Sequence, residues 1–370
     1  MKNNKEVAAF ILKEADIKIN GNNPWDITVH NPKFYQRVLS SGSMGLGESY
    51  MDGWWDCEQL DEFFYKIITA KINTKIRSSS LLINVVMAHL FNRQSKIRSR
   101  QVGKKHYDIG NDFYQCMLDK HMAYSCGYWR DARNLDEAQA DKLDLICRKL
   151  SLNAGEKILD IGCGWGGLIK YAVEKYKVKA VGITISKKQA EFAKKLCQGL
   201  PIEIRLQDYR DINEKFDSIV SVGMFEHVGY KNYRELFKVV NKSLKNHGLC
   251  LIHTIASNQT ARTCDPWFDK YIFPNGMLPS IKQIGIATEG LFVMEDWHNF
   301  GSDYDKTLMA WYKKFNNNWD KFKDEYGDRF YRMWRYYLLS LAGGFRARYM
   351  QLWQITLSKD GVLGGYKSIR

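Results

Sequence analysis

The stretch Lys157-Ile-Leu-Asp-Ile-Gly-Cys-Gly-Trp-Gly-Gly167 decides the fold. Its first five residues make an apolar run of strand length, and its glycine-rich end turns that strand tightly into a helix. Further along, KAVGITIS over 179–186, IEIRLQD over 202–208, FDSIVSVG over 216–223 and GLCLIHTIA over 248–256 repeat the strand signal. Amphipathic helical stretches over about 166–176, 187–198 and 232–244 lie between them. Strand and helix alternating at these lengths specify the α/β class, with a doubly wound, mostly parallel sheet. Residues 292–300 and 349–358 predict two more strands closing a sheet edge, with aromatic-rich helices between them.

The loop after the first strand carries the chemistry. Glycines there let the backbone turn and approach a ligand at a helix N-terminus. Gly162, Gly164 and Gly167 also satisfy G-x-G-x-x-G, a dinucleotide pattern that expects an acid about 20 residues on. That position falls within Gly182-Ile-Thr-Ile-Ser186, which holds no acid. Asp160 before the first glycine, and Gln207-Asp208 after the third strand, suit S-adenosylmethionine instead, a cationic ligand whose adenine needs an acceptor. A purely structural turn is the alternative.

Composition bounds the rest. A chain of 370 residues with 45% hydrophobic and 14% aromatic residues folds, and its length favours two domains. Residues 1–91 read as an accessory, mainly helical N-terminal domain. Residues 92–105 read as a basic linker, and 106–370 as the catalytic domain. The formal charge is +14, and ten bases without an acid lie between Lys66 and Lys105. Such an excess attracts polyanions. The longest uncharged apolar-rich stretch, 78–92, falls short of the roughly 20 residues that span a bilayer, so no transmembrane helix is expected. Nor is a signal peptide, which makes the chain cytoplasmic by expectation. The eight cysteines include no C-x-x-C and no Cys/His cluster of metal spacing, so reduced, mostly buried thiols and no metal are expected.

Seven ordered motifs carry a resemblance to a known family. They are HYDIGNDFY (106–114), YSCGYW (124–129), DIGCGWGG (160–167), GITIS (182–186) with Gln189, FEH (225–227), LIHTI (251–255) and FRAR (345–348). Together they resemble the cyclopropane fatty acid synthases, in the bacterial branch that acts on phospholipids. The resemblance implies a Rossmann-like S-adenosylmethionine-dependent methyltransferase. The implied reaction is methyl transfer to a cis double bond of an unsaturated acyl chain, then proton loss and ring closure, with bound bicarbonate as base. It carries the bicarbonate site onto Cys126, Glu226, His253, Tyr304 and the backbone at Ile255. The cofactor contacts fall on Tyr107, Tyr124, Ser125, Gly162, Gly164, Thr184, Gln189, Gln207, Asp208 and Tyr209, beside the Asp160 already read from the loop. Ala256 departs from the glycine that relatives often have, a matter of local packing.

The residues suit that chemistry. An alkene is a weak nucleophile, so the site must align it with the methyl group and stabilise positive charge on carbon. The 11 Trp, 21 Tyr and 18 Phe can offer aromatic faces that favour a cation without trapping it. The base must work inside an apolar cavity, where a bare carboxylate would be costly to ionise. Each residue also has a structural reading: Cys126 as a packed thiol, His253 as a satisfied core histidine, 334–345 as simple aromatic packing. With no anchor, docking on an anionic bilayer falls to the Lys66–Lys105 block, with the acid-free 329–359 stretch as a second candidate. The chain is thus expected at the inner membrane surface as a peripheral protein and a homodimer, with no nucleic-acid partner. A methyltransferase that stops before ring closure, and a basic nucleic-acid-binding relic, are the competing readings.

Overall fold

A computed structural model describes residues 3–72 and 110–370. Its elements begin with α1 (Asn4–Lys13), β1 (Thr28–Val29), α2 (Lys33–Met51), β2 (Trp55–Asp56) and α3 (Leu60–Thr69). Then come α4 (Asn111–Met117), α5 (Leu135–Lys149), β3 (Lys157–Ile161), α6 (Gly167–Tyr176), β4 (Lys179–Thr184), α7 (Lys187–Leu196), β5 (Ile202–Leu206) and β6 (Phe216–Val222). The remainder holds α8 (Tyr233–Ser243), β7 (Leu244–Ala256), α9 (Pro266–Tyr271), α10 (Ile281–Thr288), β8 (Val293–Asn299), α11 (Asp303–Asn318), α12 (Lys323–Arg346) and β9 (Gln351–Ser358).

Seven strands form one sheet in the order β5-β4-β3-β6-β7-β9-β8. From β5 to β7 every neighbouring pair is parallel, and β9 runs antiparallel to both β7 and β8. The doubly wound, mostly parallel sheet expected from the sequence is present. Both late strands are there too, with β9 inserted between β7 and the edge strand β8. Alternation along the strands feeds two cores: Leu159, Ile161, Ile219 and Ile252 pack in one, Ile158, Val220 and Leu251 in the other. Helices cover both, as a sheet with two apolar faces requires. Strand order reverses between β3 and β6, where ligands of such sheets bind.

The described residues separate into two compact units. One gathers residues 3–72 with Arg262–Pro274 and Tyr304–Met350, and the other holds the seven-stranded sheet. Residues 262–274 and 304–350, expected within the catalytic domain, therefore pack with the N-terminal elements. The expected linker 92–105 lies outside the described residues. The reason is visible in α12, whose aromatic face packs on α2, α3 and α9: Tyr336 meets Tyr50, Phe64 and Trp267, with ring centroids 4.5–5.6 Å apart.

This packing corrects one expectation. The acid-free 329–359 stretch is not a bare basic face, because its arginines are paired within their own unit. Arg332 binds Asp56 and the Trp55 carbonyl, and Arg335 binds the Cys57 and Glu58 carbonyls. Arg346 reaches Asp61, Glu62 and Asp305. Among the described residues no helix is long and apolar enough to cross a membrane, and no His/Cys/Asp/Glu group could hold a metal. All eight cysteines are thiols, six of them buried.

Candidate active site

The site is built where β3 ends. Gly162 has φ +85°, a left-handed backbone that glycine adopts without strain, and a Cβ there would lie 2.8 Å from Met224. Gly164 has φ +53° with open space where a Cβ would stand. The turn leaves backbone facing a cavity of about 200 Å³. Its lining includes Tyr124, Ser125, Asp160, Gly162, Gly164, Thr184, Gln189, Gln207, Asp208 and Tyr209. Ten of the eleven residues expected at the cofactor are thus brought together from the ends of β3, β4 and β5 and from the 124–125 segment. The eleventh, Tyr107, lies outside the described residues.

Local chemistry explains their positions. Ser186 caps α7 by accepting from the Gln189 N–H, and the Thr184 hydroxyl donates to Gln189 Oε1 at 3.1 Å. Asp208 caps the short helical turn 209–211 and binds the Arg210 guanidinium through both oxygens, at 3.0 and 3.2 Å. Asp160 differs: it is 2% exposed and its Oδ1 has no hydrogen-bond partner. Burial pushes its carboxyl up to about 7, against the pull of Lys142. An unsatisfied buried carboxyl in a cavity fits a cationic ligand with hydrogen-bond donors.

Several lining residues were not singled out from sequence. Lys142 on α5 is 2% exposed, donates to Ser125 Oγ at 3.0 Å, and is lowered to about 8 by burial, with Asp119, Cys126 and Asp160 opposing. His227 also lines the cavity, and burial lowers it to about 4, which keeps it neutral. His121, Trp165 and Met224 complete this group.

Cys126, Glu226, His253 and Ile255 do not line the cavity; Cys126 and Glu226 adjoin lining residues in sequence, His253 is in register with one, and Ile255 is tied to Glu226. Cys126 follows the lining Ser125 and is fully buried, its Sγ 3.2 Å from the Gly127 carbonyl. His253 on β7 is in register with Val222, which does line the cavity. Glu226 sits in a short helical turn, 225–227, and its Oε1 accepts from the Ile255 N–H at 2.6 Å while Oε2 is buried and unpartnered. Burial raises its carboxyl to about 7, with backbone hydrogen bonds and the Thr254 side chain opposing. His253 is 1% exposed, its Nε2 is buried and unpartnered, and burial beside Lys142, Lys149 and His298 holds it neutral. The Phe300 ring touches both His253 and Tyr128, which brings the 124–129 segment against β7. Glu226 Oε2 and His253 Nε2 are each buried and unsatisfied, the first able to accept a hydrogen bond and the second, as an N–H, to donate one. Tyr304 belongs to the other unit, where it stacks on Phe345 at 4.5 Å and meets Trp311 edge-on.

Comparisons with known proteins give the family. The family profile for mycolic acid cyclopropane synthetase matches residues 94–355. The cyclopropane-fatty-acyl-phospholipid synthase of Escherichia coli (strain K12) is 54% identical over 365 residues, 98% of this chain and 95% of that one. A probable fatty acid methyltransferase of Pseudomonas putida is 41% identical over 269 residues, 69% of this chain and 68% of its own. Among solved structures, mycolic acid cyclopropane synthase CmaA1 complexed with SAH and CTAB aligns with a TM-score of 0.66 at 32% identity, over 70% of this chain and 98% of the other. Similarity that runs nearly end to end places the chain in the cyclopropane synthase family, enzymes of the S-adenosylmethionine-dependent methyltransferase class.

Proposed function

We propose that this enzyme converts the cis double bond of unsaturated phospholipid acyl chains into a cyclopropane ring, taking the added carbon from S-adenosylmethionine. The observation that carries the reading is the adjacency of the two groups of residues. A cavity lined by an unsatisfied buried acid, Asp160, is bordered by two residues with further unsatisfied polar atoms: Glu226, with Oε2, precedes the lining His227, and His253, with Nε2, is in register with the lining Val222. A methyltransferase that stops at methylation needs the first group alone; ring closure also needs a base placed to remove a proton from the transferred carbon.

The alkene π pair attacks the methyl carbon, the sulfonium C–S bond breaks, and S-adenosylhomocysteine leaves with the electron pair. Positive charge now rests on the other alkene carbon. Loss of a proton from the new methyl group supplies the pair that closes the ring. Bicarbonate, when bound, supplies the base. The chain's own groups do the rest: Gly162 and Gly164 admit the cofactor, and Asp160 faces its charge. His253 donates from Nε2, and Glu226, fixed by Ile255 N–H, accepts a proton at Oε2. Cys126, the buried thiol after the lining Ser125, and Tyr304 enter this reading only as the resemblance implies.

The lipid lies in a bilayer, and the acid-free block Lys66–Lys105 is the proposed docking surface. It falls mostly outside the described residues, and the reading rests on its charge, about 1 kcal/mol per base near an anionic leaflet. Homodimer formation and a peripheral position at the inner membrane surface belong to the same proposal.

The test is purified protein with unsaturated anionic phospholipid vesicles and labelled S-adenosylmethionine, with and without bicarbonate. Chains that gain one CH2 and resist mild hydrogenation are expected, at a rate that rises with bicarbonate. Chains that gain CH2 but take up hydrogen would show a methyltransferase that stops short. The Pseudomonas putida relative's name, a probable fatty acid methyltransferase, makes that the second reading.

A further inference from the structure

A row of polar side chains crosses the sheet behind the site. In register, His253 on β7 faces Gln354 on β9, and Gln354 faces His298 on β8. Every residue of β9 is buried, and Gln354 is fully so. A glutamine at the centre of an eight-residue buried strand is costly unless its amide is used. Here the Gln354 amide nitrogen lies 3.3 Å from His253 Nδ1. Beyond it, Lys149 Nζ lies 3.1 Å from His298 Nδ1 and 3.5 Å from Asp296, with Arg370 closing the row on Asp296.

An amide NH2 can only donate, so the Nδ1 it meets must be the unprotonated nitrogen, and the ring proton stays on Nε2. The ammonium of Lys149 makes the same demand of His298 Nδ1. We propose that Gln354 is a positioning residue: it holds His253 as the neutral Nε2–H tautomer, so that this histidine acts as a hydrogen-bond donor to the small oxyanion of the active site and not as a base. The inference rests on the anion-site reading above and deepens it. Groups facing His253 act in the same direction, because Lys142 and Lys149 from α5 and His298 from β8 all disfavour an imidazolium there. A glutamate at 354 would do the opposite by accepting from Nδ1–H.

The proposal has a direct readout. The full-length protein is labelled with 15N-histidine, and the His253 signals are assigned by their loss in His253→Gln. In wild type between pH 6 and 8, Nε2 is expected to carry the proton and Nδ1 to show the shift of an unprotonated nitrogen. Gln354→Glu should move the proton onto Nδ1 or give the imidazolium. Gln354→Leu should leave a mixture of tautomers. Both should keep S-adenosylmethionine affinity within about threefold while kcat falls by roughly tenfold or more, as expected when a positioned proton donor is lost. An Nδ1–H tautomer in wild type, or an Nε2–H tautomer unchanged in both variants, overturns the assignment. The spectra require no lipid turnover, so a wild type that makes no cyclopropane yet shows Nε2–H would sink the functional reading and leave this one standing.

Discussion

The backbone N–H of Ile255 donates to Glu226 Oε1 at 2.6 Å, tying a carboxyl on the turn after β6 to the end of β7. Glu226 Oε1 is satisfied and Oε2 is not. Glu226→Gln keeps an acceptor for Ile255 and removes the charge. Turnover is expected to fall on the order of 100-fold or more, with cofactor affinity nearly unchanged. Parallel calorimetry and rate measurements check this, and an equal loss of cofactor binding would mean that Glu226 belongs to the cavity in front.

The same carboxyl makes a stability statement. Its folded-state value, about 7, lies above the ordinary 4.5, so the folded chain retains the proton between those values. Stability from this group is full below pH 4.5 and is lost as pH rises through 7. The full cost is about 3 kcal/mol above pH 8. Glu226→Gln should therefore raise the melting temperature at pH 8 and leave it unaltered near pH 4.5. Wild-type activity should rise across pH 7 as the acceptor ionises, and that limb should vanish in the variant.

Much of this was legible in the sequence because strand ends and glycine turns leave local signals. The run 157–167 specified β3 and its turn, and the expected cofactor residues from Tyr124 to Tyr209 meet at one cavity. What stayed hidden was set by tertiary packing. Lys142 and Lys149, seven apart on α5, share the buried stripe with Leu135, Ala138, Leu145 and Ile146, where a lysine would ordinarily be assigned to a solvated face. Gln354 gave a weak signal, a polar residue in the middle of QLWQITLS, but its partner came from a strand about one hundred residues earlier. The grouping of 304–350 with the N-terminal elements was likewise invisible, since α12 chooses its partners by aromatic packing and not by sequence distance.

Asp160→Asn removes the cavity's buried acid and keeps its shape. The expected loss of S-adenosylmethionine affinity is about 10- to 100-fold, the scale of a hydrogen bond to a charged group. Binding of the thioether product, whose sulfur carries no charge, should weaken less. Titration of both ligands decides, and equal losses would mean that Asp160 reads some feature common to the two.

Gly162→Val combines a disallowed φ with a clash on Met224, so binding of the cofactor should be abolished. Gly164→Ala meets no protein neighbour, costs the left-handed backbone about 1 kcal/mol, and puts its Cβ into the space proposed for the cofactor. Thermal melts with and without S-adenosylmethionine check both: without ligand the second should melt closer to wild type than the first, and ligand stabilisation should vanish in the first and be reduced in the second.

Charge in the Lys66–Lys105 block should govern access to substrate and not chemistry. Reversing Arg93, Lys96, Arg98 and Arg100 to glutamate changes four bases, at about 1 kcal/mol each near an anionic surface. Vesicle binding should drop by roughly two orders of magnitude or more and turnover on vesicles with it, while turnover on the same lipid dispersed in neutral detergent stays close to wild type. The arginines of α12 make a built-in comparison, because Arg332, Arg335 and Arg346 are already paired inside their own unit. Replacing Arg346 should lower thermal stability and leave vesicle affinity intact. Vesicle flotation on both sets of variants reads the difference, and equal losses of binding would remove the special role given to the acid-free block.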